Sequence, residues 1–318
     1  MPSQPQLCFI DCPVPPLAAA ASSPVAGAGE PGTQAVRRMA YWDWPASDQG
    51  QPGHVVVCVH GLSRQGRDFD VLARALQPHV RVVCPDVAGR GRSDWLADPM
   101  AYQIPTYVAD MVALLAHLRA QGAQTIDWVG TSMGGLIGMA LAAHSALGIR
   151  KLVLNDVGPV IEAAALLRIG TYLGKGPDFA SLQEGADYLW SILSAFGPHT
   201  PQEWLALSEP LFRQVDGRWH LHYDPAIAVP FRAFTEESAH EAAAQGEALM
   251  WQIYDHITAP TLLLRGAQSD LLTAATAEAM TQRGPRTRLV TVEGVGHAPT
   301  LVHAEQVDVV TSFLLDGA

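Results

Sequence analysis

Thr125-Ile-Asp-Trp-Val-Gly130-Thr131-Ser132-Met133-Gly134-Gly135 is the stretch whose reading decides the fold. A run of Ile, Trp and Val meets a turn of small residues, and an Ala- and Leu-rich stretch follows at once. That order reads as strand, sharp turn, helix. Gly130-Thr-Ser-Met-Gly134 fits the G-x-S-x-G pattern, in which crowding at the bend imposes strained backbone angles and holds a serine hydroxyl out above a sheet. Gly130 and Gly134 lack a Cβ where strand and helix come closest. Met133 follows the serine, so its N–H at the helix N-terminus can point at a developing oxyanion. A chance Gly/Ser turn would not need a strand before it and a helix after it.

Working outward, His54-Val-Val-Val-Cys-Val59 is a continuous β-branched run, the mark of a parallel strand covered on both faces, and it ends in His60-Gly61-Leu62. Helical spacing over 67–76 and an apolar run at 80–84 complete a strand–helix–strand unit. Asp86-Val-Ala-Gly-Arg-Gly-Arg-Ser93 lacks the third glycine and the following helix of a nucleotide-binding loop, and reads as a structural turn. An amphipathic helix over 105–120 leads into the elbow strand, and a strand at 151–154 follows the elbow helix. From 159 to 259 the strand pattern stops, predicting an all-helical, aromatic-rich subdomain; the core pattern resumes with strands at 261–264 and 288–292 and helices over 274–281 and 299–315. The expected architecture is α/β, a mostly parallel sheet with helices on both faces. Its core is built from 38–158 and 260–318, with a helical cap over 159–259. Residues 1–37 are dominated by Pro, Ala, Ser and Gly and read as a mobile extension.

The composition is that of a globular enzyme, 48% hydrophobic and 16% charged over 318 residues. A net charge of −11 without any long Lys/Arg run argues against a nucleic-acid or anionic-membrane partner. Four cysteines, two of them inside apolar strands, make no disulfide scaffold. There is no basic stretch followed by an apolar run at the start, and no apolar run long enough for a bilayer, so a cytoplasmic protein is expected.

A serine nucleophile needs a base for its proton, and the base needs a carboxylate to fix its tautomer. In elbow folds these come in the order serine, acid, histidine. His297, in Glu293-Gly-Val-Gly-His-Ala-Pro299, sits in a Gly-rich loop after the final strand and is the expected base. Asp270 follows the strand at 261–264 and is the preferred acid, with Asp156, at the end of the strand before the cap, as the alternative. The backbone amides of Leu62 and Met133 would form the oxyanion hole. Arg64 and the aromatic residues Trp190, Trp204, Phe212 and Trp219 are candidates for the substrate pocket. His60 reads as a structural anchor of its loop.

His60-Gly61-Leu62, Asp86-x-x-Gly-x-Gly-x-Ser93, Gly130-Thr-Ser-Met-Gly-Gly135, Asp270 and Gly296-His297 together resemble the α/β-hydrolases with a helical cap, near the bacterial carboxylesterase, enol-lactonase and meta-cleavage-product hydrolase branch. The resemblance implies a serine esterase working through an acyl-enzyme on small to medium apolar acyl or aryl esters. It implies no cofactor, no metal and a small-molecule partner. The alternatives are hydrolysis of a C–C bond in ring-fission diketones, or a non-catalytic ligand receptor on the same fold. A serine at the elbow argues against dehalogenases and epoxide hydrolases of this fold, which carry aspartate there.

Overall fold

The computed structural model describes residues 4–14 and 36–316. Eight strands form the main sheet: β1 (Gln6–Pro13), β2 (Val36–Trp44), β3 (Gln51–Val59), β4 (Val80–Pro85), β5 (Thr125–Thr131), β6 (Ile149–Asn155), β9 (Thr261–Gly266) and β10 (Arg288–Val292). A separate hairpin pairs β7 (Phe212–Val215) with β8 (Arg218–Leu221). The helices are α1 (Asp70–Leu76), α2 (Ile104–Ala120), α3 (Met133–Ala142), α4 (Ala163–Tyr172), α5 (Leu182–Leu193), α6 (Pro201–Ser208), α7 (Val229–Arg232), α8 (Glu236–Asp255), α9 (Ala274–Gln282) and α10 (Ala304–Leu315). The sheet order is β1-β2-β4-β3-β5-β6-β9-β10; β2 runs antiparallel to both of its neighbours and all other pairs are parallel.

The two-residue period of a strand sorts its side chains into two layers. Val55, Val57 and Val59 of β3 join the core on one face, whereas Val56 and Cys58 join the core on the other. In the same way Leu152 and Leu154 of β6 part from Val153, and Leu263 of β9 parts from Leu262 and Leu264. Helices α2 and α3 cover the first face through Met111, Leu114, Ile137 and Leu141; α1 and α10 cover the second through Leu72, Leu76, Val310 and Leu314. A strand buried on both faces has to be apolar at every position, as 55–59 is.

Two expectations are corrected. The chain between β6 and β9 is not all helical, because it contains the β7–β8 hairpin, whose main-chain contacts with Phe179 tie it to the entry of α5. Phe179, Ala186, Leu189, Trp204, Leu207, Leu211 and Phe212 give this segment its own small core. Nor is the whole of 1–37 a loose extension. Residues 6–13 extend the sheet as an edge strand on β2, with Ile10 and Cys12 buried. Burial pushes the Cys12 thiol up to about 12. Arg37 and Asp110 form a buried ion pair that pins β2 to α2 beneath it. The alternation in Gln6-Leu-Cys-Phe-Ile-Asp-Cys12 is short and sits beside a Pro-rich stretch, so composition hides it. Pairing becomes favourable because β2 would otherwise present an open row of backbone groups. The rest of the expected extension lies outside the described residues.

Deleting residues 1–13 is therefore expected to lower the melting temperature by several degrees, since it uncovers β2 and removes two buried side chains, each apolar group contributing about 1–3 kcal/mol. A thermal melt of the truncated chain checks this; an unchanged transition would show that β1 contributes nothing.

Candidate active site

The candidate triad residues and Leu62 each follow the carboxyl end of a parallel strand: Leu62 beyond β3, Ser132 beyond β5, Asp156 beyond β6, Asp270 beyond β9 and His297 beyond β10. Open α/β sheets place ligands at this edge. Ser132 has φ 52° and ψ −116°, a left-handed conformation that L-residues avoid. Close contact holds it there. A Cβ on Gly134 would lie 2.0 Å from the Val59 carbonyl oxygen, and one on Gly130 would lie 2.3 Å from the Gly134 oxygen. The bend is closed further by the Ser132 N–H, which donates to Asn155 O (3.0 Å), and by Trp128 Nε1–H, which donates to Gly134 O (3.0 Å).

Ser132 Oγ donates to His297 Nε2 at 2.9 Å, and His297 Nδ1–H donates to Asp156 Oδ2 at 2.7 Å. Asp156 is fully buried. Its Oδ1 accepts from the Gly266 N–H (2.9 Å) and its Oδ2 also from Ser269 Oγ (2.6 Å). Three donors satisfy a buried carboxylate that would otherwise be costly to desolvate. Asp156 has φ 57°, the left-handed region that aspartate tolerates better than most residues. Asn155 Nδ2 reaches Thr131 Oγ1 (3.0 Å) and Pro299 O (2.8 Å), so it ties the ends of β5 and β6 to the loop that carries His297.

The preference for Asp270 over Asp156 is thereby corrected. Ser269 Oγ, besides donating to Asp156, accepts from the N–H groups of Leu271 and Leu272 (3.3 and 3.1 Å). The loop curls around this hydroxyl, and Asp270 is left with its side chain 55% exposed, paired with Arg168 of α4. The adjacent guanidinium holds the Asp270 carboxyl below the usual carboxylate range. Ser269 escaped notice in the sequence, where an isolated serine in a loop carries no signal.

Met133 is the first residue of α3, where an N–H has no intrahelical acceptor. Leu62 lies in the wall of the cavity that holds Ser132 and His297. A fully buried arginine that no motif announced braces both residues. Arg90 Nε–H donates to Leu62 O (2.8 Å), Nη1–H to Ala88 O and Tyr107 Oη (2.7 and 2.9 Å), and Nη2–H to Met133 Sδ (3.8 Å). His60 anchors the loop as expected: Nδ1–H donates to Gly61 O (2.7 Å) and Nε2 accepts from the Val87 N–H (3.0 Å). Burial pushes this imidazole down to about 3, so it stays neutral. Asp86, in the Gly-rich turn, accepts from the N–H groups of Gly66 and Arg92 (both 2.8 Å), a structural role.

Above Ser132 lies a cavity of about 370 Å³ whose walls include Leu62, Arg64, Tyr172, Ile192, Phe196 and Leu207. Arg64 lines this cavity but is buried. The four expected aromatic residues are not among the lining side chains. Trp204 and Phe212 sit in the small core of the cap, Trp219 packs against that core, and Trp190 stacks edge-on against Trp204 at 5.0 Å with its outer side exposed. Aromatic residues scattered through a small subdomain are needed to build its own core. Among the described residues, no group of three or more His, Cys, Asp or Glu side chains stands together as metal ligands would.

Replacing Gly134 by Ala places a methyl group against backbone that cannot yield. The expected outcome is a drop in melting temperature of well over five degrees, or failure to accumulate as soluble protein, since overpacking costs about 1–3 kcal/mol and more against main chain. A melt matching the wild type would show that the turn is looser than its contacts indicate.

Residues 56–310 match the model of the alpha/beta hydrolase family. The chain is similar to a 3-hydroxybutyrate-oligomer hydrolase from Cupriavidus necator, 49% identical over 282 residues that span 87% of this chain and 93% of the relative. Among solved structures, it resembles a putative hydrolase from Rickettsia typhi (TM-score 0.81, 26% identity, covering 98% of this chain and 100% of that one). An alpha/beta hydrolase from Novosphingobium aromaticivorans is also similar (TM-score 0.75, 35% identity, covering 88% and 94%). With its elbow, its parallel sheet and a family match over most of its length, the chain belongs to the alpha/beta hydrolase family.

Proposed function

We propose that the protein is a serine hydrolase of carboxylic esters and that its substrates are short hydroxyacyl oligoesters of the 3-hydroxybutyrate type. The observation that carries the reaction is the hydrogen-bonded series Ser132–His297–Asp156 at 2.9 and 2.7 Å beneath a cavity. Support for the substrate class comes from the relative that is 49% identical over nearly the whole chain. A cavity of about 370 Å³ suits a short oligomer, being near the small end of ligand sites, which run from roughly 300 to 1,000 Å³.

In this reading His297 Nε2 takes the Ser132 proton as Oγ attacks the ester carbonyl, while Asp156 keeps the imidazole in the right tautomer and stabilises the imidazolium. The negative oxygen of the tetrahedral intermediate is held by the amides of Leu62 and Met133, each worth about 3–4 kcal/mol of barrier. His297 then gives its proton to the departing alcohol. A water attacks the acyl-enzyme with His297 again as base, which releases the acid and restores Ser132.

Incubation with the 3-hydroxybutyrate dimer is expected to release the monomer, and Ser132→Ala should abolish release while the protein stays folded. A fluorophosphonate should label Ser132. Asp156→Asn is expected to lower kcat by about 10³–10⁴, whereas Asp270→Asn should retain turnover of a neutral ester within about tenfold. The opposite ranking would return the acid's role to Asp270. Cleavage of p-nitrophenyl butyrate without cleavage of the dimer would keep the esterase and refute the substrate class.

A further inference from the structure

Two arginines line the cavity above Ser132, and they differ in how they are held. Arg64 is buried and locked: its Nε–H and Nη2–H grip both carboxylate oxygens of Asp68 (2.7 and 2.8 Å), and Nη2–H also reaches Leu207 O (3.3 Å). Its third nitrogen, Nη1, has no hydrogen-bond partner among the described residues but is closed off from solvent. Arg168, on α4 of the cap, is 49% exposed, and among the described residues its guanidinium has one hydrogen-bond partner, the equally exposed Asp270 on the loop after β9. Both residues of this second pair face the cavity that contains Ser132 and His297. Solvated ion pairs of this kind contribute little to stability, so exchanging one carboxylate for another there costs almost nothing. An arginine also presents a planar fork that matches a carboxylate in two-point contact.

We propose that Arg168 is the specificity residue for esters that carry a free carboxylate, and that the substrate's carboxylate takes the place of Asp270 on its guanidinium. The inference rests on the ester-hydrolase reading and narrows it. A linear hydroxy-acid oligomer has such a carboxylate at one end, on the alcohol side of its terminal ester. Binding that end on Arg168 sets the terminal ester over Ser132 and selects against neutral esters. Asp270 is then the resident competitor, which keeps the cationic site neutral when no substrate is bound and joins cap to core. The pair makes no hydrogen bond to Ser132 or His297, so Arg168 positions substrate and takes no proton.

The test compares the free-acid 3-hydroxybutyrate dimer with its methyl ester. Arg168→Gln is expected to lower kcat/KM for the acid by about tenfold or more, chiefly through KM, with a much smaller change for the methyl ester. Asp270→Asn removes the competitor and should raise kcat/KM for the acid several-fold, while the methyl ester does not gain, so the two variants move the acid-to-ester ratio in opposite directions. Arg168→Lys, which keeps the charge without the fork, should lie between. Equal effects of Arg168→Gln and Asp270→Asn on both substrates would reduce the pair to a cap-to-core tie and overturn the inference. Loss of all turnover in Asp270→Asn would overturn it as well. Calorimetry of dimer binding to Ser132→Ala, with and without Arg168→Gln, reads the same contrast as Kd and needs no hydrolysis. Weaker binding only of the acid supports the carboxylate site even if the substrate is not turned over, and identical Kd values refute it even if hydrolysis is confirmed.

Discussion

The left-handed backbone at Ser132 is the constraint on which the rest depends. It is tolerable because α3 starts in contact with the end of β3, so close that the Gly134 position has no room for a side chain beside the Val59 carbonyl. That contact requires β3 and β5 to be neighbours in a parallel sheet, and this in turn requires strands apolar on both faces and helices above and below. The serine hydroxyl thus stands where it does because two layers of core hold two strands in register. The local strain is offset by packing that extends over most of the molecule.

The buried carboxylate illustrates a different economy. Asp156 is withdrawn from solvent, but its oxygens meet the Gly266 amide, the Ser269 hydroxyl and the His297 imidazole. The loop after β9 therefore serves the site through its backbone and a serine, while the aspartate of that loop turns toward the cap. Charge at the cavity is handled in the same way on both walls, since each arginine there faces an aspartate. The two pairs differ in burial, and burial decides which of them a ligand can open.

The cap contributes to the cavity mainly through aliphatic and smaller aromatic groups such as Ile192, Phe196 and Leu207, and keeps Trp190, Trp204 and Trp219 away from it. Part of this segment joins the main core through Ala165, Leu173, Tyr223, Ile227 and Ala228, while Trp204 and Trp219 serve the small core of its own. The surface it lends to the cavity is what remains after both cores are filled.

The elbow serine, the histidine that meets it, the parallel strands and the segment inserted between β6 and β9 were legible in the sequence because each leaves a local trace. Strands buried on both faces read as unbroken β-branched runs, a strained turn demands glycines at fixed offsets from its serine, and an insertion interrupts the alternation of elements. The choice between Asp156 and Asp270 left no such trace. Both follow adjacent strands, β6 and β9, and both obey the chain order of a triad, so only the path of two loops in space determines which carboxylate meets the imidazole. The same holds for β1, whose short alternation means little until β2 offers an edge to pair with, and for Arg90, whose place under Leu62 and Met133 depends on a turn folding back beneath the elbow. Periodicity and steric need are properties of neighbouring residues and belong to the sequence by itself. Which groups from distant loops share a hydrogen bond is settled only once the sheet has brought their strand ends together.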